Sequence, residues 1–253
     1  MTRWLIIAST LFASPAWATD AARDMLTQGN YVEARTAALA EETVDGLNLA
    51  CEVMAAEIML MRVEDTRDHA KEAIRLTEQA LEQDPDNIDA KFLRALHTGF
   101  RTRSSSAFTI MTRGLIGKTR RAIEEFEQSA PDDPRVGALY GAWHLGIVRA
   151  AGDGRFGASL EDGLAAYDRA VSAQPDDIVV MSNYAFSLIV MDDPTLLPRA
   201  TTLLKQIEVT EPKSATERET KARMMRLLSV IDDPKALKEM SVGLLNTEET
   251  EGE

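Results

Sequence analysis

One short segment, residues 163–175, constrains the fold of this chain more than any other because its spacing recurs. Gly163, Tyr167 and Ala170 fall on one face of a helix at steps of four and three, and Pro175 ends that helix. A small residue lets a neighbouring helix come close, and the large residue one turn later fills the space beside it. The same spacing appears at Ala73, Thr77, Ala80 and Pro85, at Ala122, Phe126, Ser129 and Pro134, and at Ala200, Leu204, Ile207 and Pro212. The sequence therefore predicts a helical repeat protein.

The rest of the chain also has helical periodicity, and no alternating strand pattern stands out, so the predicted fold class is all-α. Asn87, Ser159 and Ser214 are predicted N-caps, and the segment Arg101 to Lys118 is predicted to be irregular. Asp193-Pro194 and Asp233-Pro234 are each predicted to open a helix. The other predicted helices are Leu47–Met61, Thr66–Gln83, Ile88–Phe100, Thr119–Ser129, Arg135–Ala151 and Ile178–Met191.

The N-terminal residues 1–18 have the pattern of a secretory signal peptide. Arg3 precedes an apolar run from Trp4 to Phe12, and Ala16-Trp17-Ala18 is a small-x-small cleavage pattern. Cleavage after Ala18 would leave 253 − 18 = 235 residues and place the protein in the periplasm. Residues 19–246 are then the predicted helical repeat domain, and residues 247–253 are a predicted disordered acidic tail.

Charge and cysteine content restrict the partners and the sources of stability. The formal net charge is −13, and removal of Arg3 would give −13 − 1 = −14. Such a balance disfavours nucleic acids and anionic membranes as partners, and no segment predicts stable membrane insertion. Cys51 is the single cysteine, so an internal disulfide is excluded. Its apolar helical neighbours predict a buried structural thiol.

The spacing of Gly163, Tyr167, Ala170 and Pro175 resembles that of tetratricopeptide repeats, and Gly29-Asn30-Tyr31 is similar to the turn of a first repeat. The resemblance implies a stack of about five antiparallel helical hairpins with a C-terminal helical cap. The proline-to-proline intervals, 134 − 85 = 49, 175 − 134 = 41 and 212 − 175 = 37, exceed the usual repeat of about 34.

This resemblance also implies a function. Exported bacterial members of the family are usually non-catalytic adaptors or scaffolds, so we expect binding of a peptide or of another periplasmic or envelope protein. One subgroup, the T-component proteins associated with TRAP-type transporters, pairs with solute-binding proteins, which makes such a protein a candidate partner. A homo-oligomer is a further expectation.

No motif predicts catalysis, a cofactor or a metal site. Residues 152–157 match G-x-G-x-x-G, but a helix rather than a strand precedes them, which favours a simple loop. The three histidines His69, His97 and His144 lack metal-ligand spacing. Ser104, Ser105 and Ser106 lack the framing of a nucleophile elbow.

Asn183 is the sharpest single candidate for binding. In peptide-binding tetratricopeptide repeats, the sixth position of a first helix is often an asparagine that holds the ligand backbone, and counting from Ile178 places Asn183 there. The same count places Val179, Phe186 and Ile189 toward the groove. The alternative for Asn183 is a structural amide satisfied within its own helix. An alternative function is a transporter-associated carrier of a small apolar ligand, with the superhelix closed around Trp143, Phe186 and Ile189.

A basic cluster opposes the overall acidity of the chain. Arg101, Arg103 and Arg113 lie in it, followed by Lys118, Arg120 and Arg121. These cations are predicted to dock an acidic partner or an anionic ligand. The alternative is a solvated loop whose arginines pair with neighbouring acidic helices.

Overall fold

A computed structural model describes residues 15–249, and within that range the chain forms thirteen α-helices, one short 3-10 turn and no strand. The predicted all-α class is confirmed. Most of the predicted signal peptide lies outside the described residues, as does the end of the predicted acidic tail. The helices are α1 (Pro15–Gln28), α2 (Tyr31–Leu39), α3 (Val44–Met59), α4 (Thr66–Gln83), α5 (Ile88–Arg103), α6 (Ala107–Arg113), α7 (Leu115–Ser129), α8 (Pro134–Ala151), α9 (Leu160–Ala173), α10 (Ile178–Ile189), α11 (Leu197–Val209), α12 (Ala215–Leu228) and α13 (Pro234–Glu249).

The helices pack in sequential pairs. Helix α1 packs on α2, α3 on α4, α5 on α7, α8 on α9 and α10 on α11, while the short α6 is inserted inside the third pair. The first helix of each pair also contacts the first helix of the next, in the order α1, α3, α5, α8, α10 and α12. This arrangement is repeat-like, because each pair buries its apolar face mainly against its sequence neighbours.

The second helices of these pairs bury the residues that the recurring spacing singled out. Tyr167 is 1% exposed, and its ring stacks on Tyr184 with centroids 4.6 Å apart. The equivalent residues Ala73, Thr77, Ala80, Ala122, Phe126, Gly163, Ala170, Ala200, Leu204 and Ile207 are also buried. Ser129 of α7, which the same spacing singled out, is instead half-buried and donates to the carbonyl oxygen of Glu125. The predicted buried face of the second helices is confirmed at the other positions.

Glycines allow α8 and α9 to approach closely. A Cβ atom added to Gly141 of α8 would lie 2.4 Å from the ring of Tyr167, and one added to Gly163 of α9 would lie 2.7 Å from Leu145. Both distances are shorter than real carbon contacts, so these two positions require the absence of a side chain. The predicted role of Gly163 as a contact residue agrees with this geometry.

The two ends of the described chain contact each other through α12. The hydroxyls of Tyr31 in α2 and Thr216 in α12 lie 3.2 Å apart in a buried position. Arg62, just after α3, forms an ion pair with Glu219 of α12 at 2.7 Å and covers the Tyr31 ring at 4.9 Å. The series of first helices therefore closes on itself, since α12 also contacts α1.

Gly29 and Arg223 also contribute to this closing contact. Gly29 has a φ of +92°, and a Cβ there would lie 2.9 Å from Ala215 at the start of α12. Arg223 donates a hydrogen bond of 2.7 Å to the carbonyl oxygen of Met59, the last residue of α3. A cation at the C-terminal end of a helix satisfies a carbonyl that has no partner within the helix. Gly29 thus serves both a turn and a helix-helix approach.

Several predicted boundaries are wrong. The segment from Arg101 to Lys118 is not irregular, because α5 continues to Arg103, α6 follows, and α7 begins at Leu115. Asp193-Pro194 does not open α11, which begins at Leu197; the Asp193 carboxylate instead accepts hydrogen bonds from the backbone and hydroxyl of Thr195. At the C-terminus, α13 continues to Glu249, past the predicted boundary at residue 246.

The predicted N-caps are confirmed. The side chain of Asn87 accepts a hydrogen bond from the Ala90 amide, Ser159 from Asp162, and Ser214 from Glu217, at 2.9, 3.1 and 3.2 Å respectively. Each bond satisfies one of the amides that a helix start leaves without an internal partner. The predicted helix start at Pro234 is also observed.

His97 is a buried histidine, and we expect its protonation to oppose folding. Its ring is fully buried, Nε2 donates to the carbonyl oxygen of Cys51 at 2.9 Å, and Nδ1 has no hydrogen-bond partner among the described residues. Burial lowers the pKa of His97 to about 4, against the backbone bond to Cys51, which raises it. The unfolded chain, with a histidine pKa of about 6.5, therefore binds a proton first as the pH falls.

We expect the free energy of unfolding to be about 1–1.5 kcal/mol lower at pH 5.5 than at pH 7.5 because of this one group. Urea titrations at the two pH values measure the difference. His97→Gln should flatten this dependence, since the neutral amide binds no proton. An unchanged pH dependence in the variant would show that His97 is not the responsible group.

Candidate binding surfaces

A small cavity lies between α3, α5 and α10 on one side and α12 and α13 on the other. It brings together three of the predicted groove residues, Val179, Asn183 and Phe186 of α10, and places them beside Arg103 at the end of α5. The remaining lining residues come from α3, its following turn, α5, α10, α12 and α13: Met59, Met61, Phe100, Ser182, Thr220, Arg223, Met224 and Leu244. We call this set the inner cavity.

The inner cavity has apolar walls with a few polar groups. Ser182 is 3% exposed, and its hydroxyl has no hydrogen-bond partner among the described residues. The Asn183 side chain is exposed, and the Arg103 guanidinium lies 5.4 Å from the centre of the Phe100 ring. The cavity volume is about 70 Å³, well below the roughly 300 Å³ at which small-molecule pockets begin. It therefore has room for a few atoms in this conformation.

The structure places the other two predicted ligand contacts elsewhere. Trp143 is 7% exposed in the core between α5, α7 and α8, and its Nε1 donates to the carbonyl oxygen of Ile116 at 3.3 Å. Ile189 is also 7% exposed and packs in the core that joins α8 to α12. Phe186 lines the inner cavity without either of them.

A second candidate surface is formed by α6, which sequence reasoning had assigned to a loop. None of its residues is buried, and two of its large apolar side chains, Phe108 and Met111, are 76% and 79% exposed. The signal was present in the sequence: Ser106 caps the helix through a hydrogen bond from the Thr109 amide, and Gly114 ends it with a φ of +60°. Phe108 and Met111, three positions apart, share one face.

The predicted arginine cluster surrounds this helix in the sequence. Arg101, Arg113, Lys118 and Arg121 have no ion-pair partner among the residues that the structure describes. Arg120, by contrast, pairs with Glu124 at 2.9 Å. Residues 90–123 contain no aspartate or glutamate at all. We call Phe108 and Met111, together with the arginines Arg101 and Arg113 that flank them in the sequence, the α6 surface.

Other polar groups of the fold are tied into its packing. Glu57 of α3 is 5% exposed, and its Oε2 accepts a hydrogen bond from Arg35 at 2.7 Å and lies 3.0 Å from Nε2 of His69. This cluster joins α2, α3 and α4. Nδ1 of His144 accepts from the Ser159 amide at 3.0 Å and holds the start of α9. Within residues 15–249, no group of histidine, cysteine and carboxylate side chains is arranged to hold a metal ion.

Cys51 is buried, as predicted. Burial, together with the nearby carboxylates of Glu52 and Glu72, raises the pKa of its thiol to about 12. The thiolate is the reactive form of cysteine, so this side chain is inert at neutral pH.

The glycine loop after α8 has no nucleotide-binding context. A helix precedes it, as predicted, and Gly152, Gly154 and Gly157 all have positive φ. A dinucleotide site requires a strand before the glycines, so that the turn directs the following helix at a pyrophosphate. The loop instead turns the chain between α8 and α9.

Among the described helices, none is both long enough and apolar enough to cross a membrane.

Comparison with known proteins gives no family for this chain. No protein-family model matches the sequence, and no curated protein is significantly similar to it.

Proposed function

We propose that this chain is an exported, non-catalytic adaptor that works in the periplasm and binds another envelope protein. Its architecture would be a stack of tetratricopeptide-like helix pairs closed by α12. The series of contacts between successive first helices and the buried spacing around Tyr167 support this architecture. The signal-peptide pattern at residues 1–18 supports the location.

The α6 surface is the observation that carries the proposal. A helix that buries none of its residues adds little to the core, yet it presents Phe108 and Met111 to solvent. Phenylalanine, methionine and arginine are the residue types enriched at the centres of protein interfaces. Arg101 and Arg113 have no anionic partner among the described residues. The surface therefore has the composition of a binding site rather than that of a packing element.

The chemistry of the α6 surface also indicates the kind of partner. An apolar pocket would receive Phe108 and Met111, and carboxylates around it would pair with Arg101 and Arg113. Such pairs steer association and make its rate depend on salt. An acidic envelope protein, such as a solute-binding protein, fits this description.

Site-specific photo-crosslinking in cells tests the proposal. A photoreactive amino acid replaces Met111 in one variant and Val209, which is 81% exposed at the end of α11, in the control. We expect one discrete crosslinked species at position 111 and none at position 209. Arg101→Glu combined with Arg113→Glu should abolish it, because the partner carboxylates would be repelled.

The alternatives have different outcomes in the same experiment. A band at twice the mass of the chain would show that the partner is a second copy of this chain and not another envelope protein. Equal labelling at both positions, or none, would contradict an adaptor that docks through α6.

The alternative function, a carrier of a small apolar ligand, is supported by the existence of the inner cavity. The volume of that cavity, about 70 Å³, requires it to open before a ligand enters.

A further inference from the structure

Helix α13 packs against the core through one apolar stripe, and Leu244 at the end of that stripe lines the inner cavity. Leu237 is 7% exposed, and Met240 and Leu244 are half-buried against the same core. These positions are three, four and seven residues apart, so they face one side of the helix. Lys235, Lys238 and Glu239 lie on the opposite, exposed side. Helix α13 thus has the pattern of an amphipathic helix seated in a groove.

The groove under this stripe includes the predicted binding residues. Leu244 lines the inner cavity together with Val179, Asn183 and Phe186 of α10. Three methionines also line it: Met59, Met61 and Met224. Methionine side chains are flexible and polarisable, and proteins that bind amphipathic helices of varied sequence use them for this reason.

Two features weaken α13 and its attachment to the rest of the fold. Gly243 stands in its interior, although a Cβ there would meet nothing within 4 Å. A glycine in a helix with no steric need for it weakens the helix relative to alanine. The ion pair between Lys238 and Asp192 joins it to the turn after α10 at an exposed position, where such pairs stabilise little.

We propose that the groove under α13, which includes the inner cavity, is a second binding site, for an amphipathic helix of a partner, and that α13 is its resident occupant, displaced when the partner binds. The inference rests on the proposed binding function but concerns a site separate from the α6 surface. The partner helix would carry large apolar residues at positions i, i+3 or i+4 and i+7, as α13 does. It would present backbone or carboxylate groups to Asn183 and Arg103.

A labelled peptide with the sequence of residues 234–249 serves as the probe, and fluorescence anisotropy with the full chain measures its binding. Leu237→Glu combined with Leu244→Glu places two carboxylates in the apolar stripe and releases α13, and it leaves the lining residues outside α13 unaltered. We expect this variant to bind the peptide at least about tenfold more tightly than the wild type, because the competing helix no longer occupies the site. A peptide with serine at the positions of Leu237, Met240 and Leu244 should not bind.

Two further variants should both weaken peptide binding, for different reasons. Gly243→Ala strengthens α13, so the unaltered peptide should bind about fivefold more weakly than to the wild type. Asn183→Ala, introduced into the variant with α13 released, should weaken peptide binding with little change in melting temperature, because the side chain is exposed. An equal loss of stability would make Asn183 a structural residue instead.

Hydrogen exchange of the wild-type chain keeps the test decisive if the released variant does not fold. Amides of α13 should exchange through a local opening, faster than those of α10 and α12. Exchange of α13 only through global unfolding would overturn the proposal, and so would a folded released variant that binds the peptide no better than the wild type. Crosslinking at Met111 depends on neither result, so failure of this site leaves the adaptor proposal to its own test.

Discussion

Replacing Tyr167 with alanine is expected to lower the free energy of unfolding by about 3–5 kcal/mol. The side chain is 1% exposed, stacks on Tyr184, and covers the glycine face of α8 at Gly141. Its removal would leave a large cavity between three helices that the glycine cannot fill. Urea-induced unfolding, followed by circular dichroism, measures the change.

The control for Tyr167→Ala is Tyr167→Phe, which keeps the ring and its stacking. We expect it to cost less than about 1.5 kcal/mol, the range of volume-conserving replacements. A loss below about 0.5 kcal/mol for Tyr167→Ala would contradict the buried position of the residue, and with it the register of the repeat.

Gly141→Ala is expected to destabilise the fold by about 2–3 kcal/mol, although alanine is the better helix former. The added Cβ would lie 2.4, 2.5 and 2.8 Å from three atoms of the Tyr167 ring. That ring is fully buried and stacked on Tyr184, so it has little room to move away. The helices α8 and α9 would have to separate.

Gly146→Ala in the same helix is the matched control. A Cβ at Gly146 meets nothing within 4 Å, so the replacement is expected to stabilise by about 0.5–1 kcal/mol through helix propensity alone. The two variants should therefore shift the urea midpoint in opposite directions. Shifts of the same sign would show that α8 and α9 do not approach as closely as described.

The second helices could be predicted from the sequence because their packing is local. Gly163, Tyr167 and Ala170 contact the helix just before or after their own, so the spacing of small and large residues is sufficient to identify the buried face. Asn87 and Ser159 were found as caps for a similar reason, since a cap bonds the backbone three residues away.

The helix α6 could not be recognised from burial patterns because it buries nothing. Its apolar residues Phe108 and Met111 face solvent, and three serines and two glycines around it are typical of loops. The start of α11 was misplaced because Asp-Pro fits both a helix start and a turn, and the chain uses it for a turn to Thr195.

The candidate sites were predicted in part. The step of four from Val179 to Asn183 and of three to Phe186 places these residues on one face, and they do line a common cavity. Ile189 follows at a step of three but is buried against neighbouring helices, and Trp143 packs in a different core. Whether a residue on this face is buried or lines the cavity depends on which other helix packs over it. The spacing of residues within α10 carries no information about that other helix.

The closing contact of α12 was beyond sequence reasoning. Tyr31 and Thr216 are 185 positions apart, and no local pattern relates them. The inner cavity depends on this contact, because it brings α12 and α13 beside the ends of α3 and α5. The closed stack is therefore the central claim about the fold, and the inner cavity rests on it.

Intramolecular crosslinking between engineered cysteines tests this closure most directly. Arg62→Cys with Glu219→Cys replaces an ion pair of 2.7 Å, and the native Cys51 is buried and inert. The control pairs Arg62→Cys with Lys205→Cys, an exposed position on α11. With a short bismaleimide at low protein concentration, we expect nearly complete internal crosslinking for positions 62 and 219 and little for 62 and 205. Equal yields for the two pairs, or no internal product for 62 and 219, would contradict a stack of helices that closes on itself.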